Sequence, residues 1–157
     1  EARFGSLDQL GVLDLYAGSG AIGLEAASRG AGWVAAVESD RRTAEIARAN
    51  AASLGATVEV VAQSVATYLA QPARRQVEIA YLDPPYPLAD EVLARDLALL
   101  AENGWLAEDA LVLVERSRRS PEPRWPAGLV ALAGKRAQKR YGDTTLWLPP
   151  ESKYGCI

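Results

Sequence analysis

Short apolar runs alternate with longer amphipathic stretches along most of this 157-residue chain. Val12 to Tyr16 is too short for a helix, is bounded by glycine on both sides, and reads as a buried strand. The helix-patterned segment Ala21 to Arg29 stops at Gly30, since glycine is a natural helix C-terminal stop. Trp33 to Val37 predicts a second strand. Ser39 or Asp40 then caps a helix whose Ala44, Ala47, Ala51 and Leu54 share one face and which Gly55 ends. Thr57 to Val61, β-branched and alternating, predicts a third strand, and Val65 to Ala70 a short helix stopped before Pro72. Val77 to Leu82 predicts a fourth strand. Leu88, Val92, Leu93, Leu97 and Leu100 make the apolar stripe of a helix closed by Gly104, and Ala110 to Glu115 a fifth strand.

Strands separated by single helices need right-handed crossovers, which give a parallel sheet covered on both faces. The pattern changes after Glu115, where Pro121, Pro123 and Pro126 break the chain into a loop. Two strand-like runs follow, around Lys135 to Arg140 and Thr144 to Leu148; a joint as short as Tyr-Gly-Asp forces them to pair antiparallel. The expected class is therefore α/β: a mostly parallel twisted sheet, helices on both faces, and a C-terminal antiparallel strand pair. Residues 1–150 are expected to form one domain, with Glu1 to Leu10 a lead-in and 151–157 a tail; there is no internal repeat.

Composition narrows the chemistry. Hydrophobic residues make up 49% of the chain, enough for a core, and no apolar run is long enough to cross a bilayer. With no charged leader ahead of an apolar stretch, a cytoplasmic, soluble protein is expected, as a monomer. The one cysteine, Cys156, leaves disulfides, a cysteine zinc site and a cysteine nucleophile unsupported. Histidine is absent, which removes the Ser-His-Asp triad and imidazole ligands, and no metal is expected. Methionine is absent too, so a native N-terminal segment is expected to precede Glu1. The net charge of −3 hides an asymmetry: Arg116, Arg118, Arg119, Arg124, Lys135, Arg136, Lys139 and Arg140 face a single acid, Glu122, over the same stretch. Such a cluster reads either as a phosphate-facing patch or as a solvated loop.

Gly18, Gly20 and Gly23 lie where the first strand turns into the first helix, in the G-x-G-x-x-G spacing of a nucleotide cradle. Glu38 follows the second strand and suits ribose hydroxyls, Ser64 follows the third, and Asp83 the fourth. In an open α/β sheet all four converge on one crevice beyond the strand ends. A hydride-transfer enzyme fits the glycines, but it needs a proton-handling group, and neither a histidine nor a Tyr-x-x-x-Lys pair is present. Asp83-Pro84-Pro85-Tyr86 suits another reaction. Its prolines stiffen the strand terminus and carry no N–H, so a carboxylate and a carbonyl side by side can accept both hydrogens of a planar exocyclic amine. Tyr86 offers a ring face on which a flat base can stack.

DLYAGSGAIGLEAASRGA from Asp14, VESD from Val37, DPPY from Asp83 and KRYGDT from Lys139 together resemble the RsmD-type bacterial methyltransferases, over about Gly11 to Leu148. The resemblance implies a Rossmann-like methyltransferase fold and transfer of a methyl group from S-adenosylmethionine to the N2 amine of a guanine in 16S ribosomal RNA. It implies that Tyr16, Ala17, Gly18, Ser19 and Gly20 back the cofactor's methionine portion. Asp14 would lie near its amino group, and Glu38 would take the ribose hydroxyls with Ser39 also bordering the cofactor. Gln63 to Val65 would edge the adenine, with Ser64, whose hydroxyl would accept from the adenine amine, standing where the commoner pattern has an acid. Asp83, Pro84, Pro85 and Tyr86 would carry catalysis, with Asp83 also bordering the cofactor. Tyr86, Arg116, Arg118, Arg140 and Tyr141 would contact the partner, ribosomal RNA or the assembling small subunit. The alternatives are an amino-methyltransferase acting on DNA adenine N6 or protein glutamine, a nucleotide-binding module without catalysis, and an NAD-dependent enzyme.

Overall fold

The computed structural model describes residues 7–85, 88–117, 119–126, 137–141 and 144–148, with backbone alone described for Asp109 and the last two ranges. The apolar run after Leu10 forms β1 (Gly11–Leu15), buried along its whole length, and α1 (Ala21–Ser28) leads on to β2 (Trp33–Val37). Next come α2 (Arg41–Leu54), β3 (Glu59–Val61), α3 (Val65–Ala70), β4 (Val77–Leu82), α4 (Asp90–Glu102) and β5 (Leu106–Ser117). The chain ends in β6 (Ala137–Tyr141) and β7 (Thr144–Leu148). All seven strands join one sheet in the order β3-β2-β1-β4-β5-β7-β6. The first five run parallel, and β7 pairs antiparallel with both β5 and β6. Strand order reverses between β1 and β4, which opens a crevice at their carboxyl ends.

The expected α/β class holds, with three adjustments. β5 is longer than the run that predicted it, and its far edge is covered by β7, so the C-terminal pair extends the main sheet. β3 is only three residues long. Asp40 caps α2, its carboxylate accepting from the Thr43 N–H at 2.9 Å, and Ala44, Ala47 and Ala51 are buried beneath it. Leu54 is on the same side of the helix by spacing, yet it is 69% exposed because it lies in the last turn, beyond the reach of so short a β3.

Period-two alternation sorts the sheet into two faces. Leu13, Leu15, Leu82 and Val114 pack with Leu93, Leu97 and Leu100 of α4 and with α3 in the main core. Val12, Val34 and Ile79 pack with Ala26 of α1 on the other face. Asp14 follows Val12 by two residues and pairs in register with Tyr81, which follows Ile79 by two, so both fall on the α1 face. Patterning thus aims these two polar side chains at the rim of the crevice.

Leu97 is fully buried in the main core. Leu97→Ala is expected to cost about 2–5 kcal/mol in urea unfolding, with an unchanged denaturant slope, through lost transfer energy and the cavity left behind.

Candidate active site

The turn from β1 into α1 is built on left-handed backbone at Tyr16 (φ 61°), Gly18 (φ 59°) and Gly20 (φ 91°). A tyrosine in this region is uncommon, and Tyr16 is held there from two sides. The Ala17 N–H donates to the Val37 carbonyl at 2.9 Å, and the Tyr16 hydroxyl donates to Asp96 of α4. Glu38 staples the turn: one oxygen accepts from the Gly18 N–H and the other from the Asp40 N–H, each at 2.8 Å. Gly23 serves a different purpose. A Cβ there would come within 3.2 Å of Val34 Cγ1 and 3.4 Å of Asp14 Oδ2, so its absence lets α1 press against the sheet. The Gly23 N–H meanwhile donates to Asp14 Oδ2 at 2.9 Å.

These elements border a cavity of about 650 Å³. Its wall carries the carboxylates of Asp14, Glu38, Asp83 and Asp96 and the guanidinium of Arg95. Asp14 is only 2% exposed. Burial, with the nearby charges of Asp83 and Glu38 adding to it, pushes its carboxyl up to about 7 against the lowering effect of the Gly23 N–H. Asp83 borders the cavity with its residue surface exposed, and partial desolvation together with the Glu115 charge raises its carboxyl to about 6. Burial and the hydrogen bonds to Asp96 and Glu115 push the Tyr16 and Tyr81 hydroxyls well above their ordinary range, so both are neutral donors.

The predicted residues Asp14, Tyr16, Ala17, Gly18, Ser19, Glu38, Ser39, Ser64, Val65, Asp83 and Pro85 all border this cavity. Gly20 sits just behind it as the N-cap of α1, and Pro84 is buried at the end of β4. Ser64 is at the wall, but its hydroxyl is engaged in capping α3: it accepts from the Thr67 N–H at 3.1 Å and meets Thr67 Oγ1 at 2.8 Å. Capping uses the proton and one lone pair of this hydroxyl and leaves the second lone pair as an acceptor. Arg116 departs further from its expected place among solvent-facing phosphate contacts. It is 6% exposed and ion-paired with Asp90 at 3.0 Å, because residue 116 of β5 points to the α4 face. Tyr86 and Arg118 lie outside the described residues, as do the side chains of Arg140 and Tyr141.

Tyr81, Glu115 and Asp96 were not singled out from the sequence. Asp96 carried a signal there, as an acid within the apolar stripe of Leu93, Leu97 and Leu100. Tyr81 and Glu115 carried none, being alternate positions of ordinary strands.

Residues 2–149 match the model of the family described as Conserved hypothetical protein 95. Ribosomal RNA small subunit methyltransferase D of Escherichia coli K12 is 39% identical over 116 residues, 73% of this chain and 57% of that protein. The chain belongs to this RsmD-type family. The protein of the same name from Haemophilus influenzae is 35% identical over 113 residues, covering 69% of this chain and 58% of its own length. The RsmD-type chain therefore spans less than two thirds of the length of these curated relatives. Among solved structures, yhhF of Escherichia coli, described as a candidate methyltransferase, matches with a TM-score of 0.79 at 33% identity over 92% of this chain and 78% of that one. The Rossmann-like class expected for the family is borne out.

A carboxyl raised by burial makes the folded state hold a proton that the unfolded chain releases, so stability falls as pH rises through the folded value. For Asp14 that fall runs from about 4 to about 7. Asp14→Asn, which keeps an oxygen for the Gly23 N–H, is expected to flatten part of the fall and to gain on the wild type between pH 5 and pH 8 in urea unfolding. A stability difference independent of pH would show that Asp14 is not the group responsible.

Proposed function

We propose that this chain is the catalytic domain of an S-adenosylmethionine-dependent methyltransferase acting on the N2 amine of a guanine in 16S ribosomal RNA. The observation carrying this reading is that Asp83 borders the same cavity as the glycine turn and Glu38. A cofactor cradle and an amine-accepting strand terminus are thereby joined in one space.

The charge of the wall favours this cofactor over a dinucleotide. Carboxylates of Asp14, Glu38, Asp83 and Asp96 face the cavity against a single described cation, Arg95. A pyrophosphate would meet repulsion there, whereas a sulfonium and an ammonium group would be attracted. When bound, S-adenosylmethionine supplies an electrophilic methyl group on a cationic sulfur. Asp14 would hold its amino group, Glu38 its ribose hydroxyls, and Val65 one edge of its adenine. The names of the relatives support ribosomal RNA as the substrate.

The chain's own part is acceptance and alignment. Asp83 accepts one hydrogen of the guanine amine and a proline carbonyl accepts the other. Pro85 is the proline that borders the cavity, and its carbonyl, which accepts from the Leu88 N–H at 3.0 Å, keeps a second lone pair for the amine. Holding both hydrogens in the plane of the acceptors orients the nitrogen lone pair along the line of attack, so no strong base is required. After transfer, the Asp83 carboxylate, raised to about 6, collects the proton of the very acidic ammonium product. Tyr86 would stack on the base, and Arg119, exposed past the end of β5, would contact phosphates.

Isothermal titration is expected to show binding of S-adenosylmethionine and none of NAD. Asp83→Ala is expected to cut methyl transfer to 16S RNA by roughly 10²–10³-fold while changing cofactor affinity far less, as when a group acting chiefly in the transition state is removed. Equal losses in both quantities would refute the division of roles. RNA affinity should fall steeply between 50 and 200 mM salt, about as expected for several phosphate contacts; a flat response would remove the basic cluster from the interface.

A further inference from the structure

Arg116 is a buried cation at the carboxyl end of β5, and its position accounts for more than charge pairing. Its Nη2 donates to Asp90 Oδ1 at 3.0 Å and approaches the Leu88 carbonyl at 3.4 Å. Leu88 in turn donates its N–H to the Pro85 carbonyl at 3.0 Å. One residue therefore links the guanidinium to the Asp83-Pro84-Pro85 terminus. The other end of this loop is fixed by β4 and by the Asp83 N–H, which donates to the Leu15 carbonyl at 3.4 Å. Prolines stiffen the loop internally, but they cannot set the angle at which it leaves the sheet. Arg116 can, because its strand is held on both sides: Arg116 itself is in register with Thr145 of β7, and Val114 of the same strand with Leu82 of β4.

We propose that Arg116 is a positioning residue for the amine-accepting loop: it acts through Leu88 to hold Asp83 and the adjoining carbonyl in their reactive orientation, without touching substrate. A bare structural ion pair would need only Asp90. The second contact, on the backbone of Leu88, ties the pair to a residue that borders the cavity together with Pro85. This inference rests on the function proposed above for its effect on turnover, but not for the brace itself.

The test compares Arg116→Met, Arg116→Lys and Asp90→Asn in the intact chain. Arg116→Met is expected to lower kcat for RNA methylation by about 10–100-fold, the scale of a small misplacement of reacting groups, while the Kd for S-adenosylmethionine changes less than about 3-fold. Hydrogen exchange at the Leu88 amide, measured without substrate, should rise at least about 10-fold as its bond to the Pro85 carbonyl opens. Arg116→Lys keeps the charge and donors and should restore both readouts in part. If Arg116→Met does not fold, Leu88 exchange in the Lys and Asn variants decides the matter. Unchanged Leu88 exchange, or a loss of cofactor affinity in step with kcat, would overturn the proposal. A wild-type chain that methylates no RNA would sink the proposed function instead, while Leu88 exchange would still support or overturn the brace.

Discussion

The contact between the Gly23 N–H and Asp14 is the constraint from which the site is assembled. A carboxylate that is 2% exposed is costly unless it is hydrogen-bonded or protonated, and the first turn of a helix is where unpaired backbone donors are found. Bringing that turn to 2.9 Å from the acid requires α1 to sit closer to β1 and β2 than a side chain at residue 23 would allow. The missing Cβ and the buried acid thus explain each other. Once α1 is seated there, the chain between Leu15 and Ala21 turns through left-handed residues, one of which, Gly18, donates its N–H to Glu38.

The second consequence is electrostatic. Carboxylates delivered by β1, the end of β2, the end of β4 and α4 border one cavity. Burial, aided by the charges of Asp83 and Glu38, pushes Asp14 up to about 7, and burial, aided by the charge of Glu115, pushes Asp83 up to about 6. A cationic cofactor of the kind proposed would favour the charged forms of both carboxyls. Stability of the free protein and affinity for a cation therefore pull in opposite directions across neutral pH.

Much of this was legible in the sequence because it is carried by local rules. Glycines at Gly18, Gly20 and Gly23, the acid after β2 and the prolines after β4 each sit at a strand end, where period and punctuation alone place them. The strand pair after the proline loop was visible as two runs with a short joint, but not its docking on β5, since sequence patterning does not say which edge a hairpin will cover. Residue type alone leaves Ser64 and Arg116 underdetermined. A serine after a strand can be a helix cap as well as a cavity residue, and Ser64 is both, capping α3 through Thr67 while bordering the cavity. An arginine within a basic run reads as exposed until its strand parity places it against α4.

That parity produces a division of labour at the end of β5. Glu115 and Arg116 are neighbours in sequence but occupy opposite faces of the sheet. Glu115 shares the α1 face with Tyr81 and Asp83; it accepts from the Tyr81 hydroxyl and its charge helps raise the Asp83 carboxyl. Arg116 shares the other face with Val114 and reaches Asp90 and Leu88, beyond the proline loop. The same strand terminus therefore tunes the acid electrostatically from one side and fixes the loop that bears it from the other. A shift of one residue in the β4–β5 register would exchange the two, setting a cation beside Asp83 and a carboxylate against Asp90, so the pairing of Leu82 with Val114 governs both the charge and the geometry of the site.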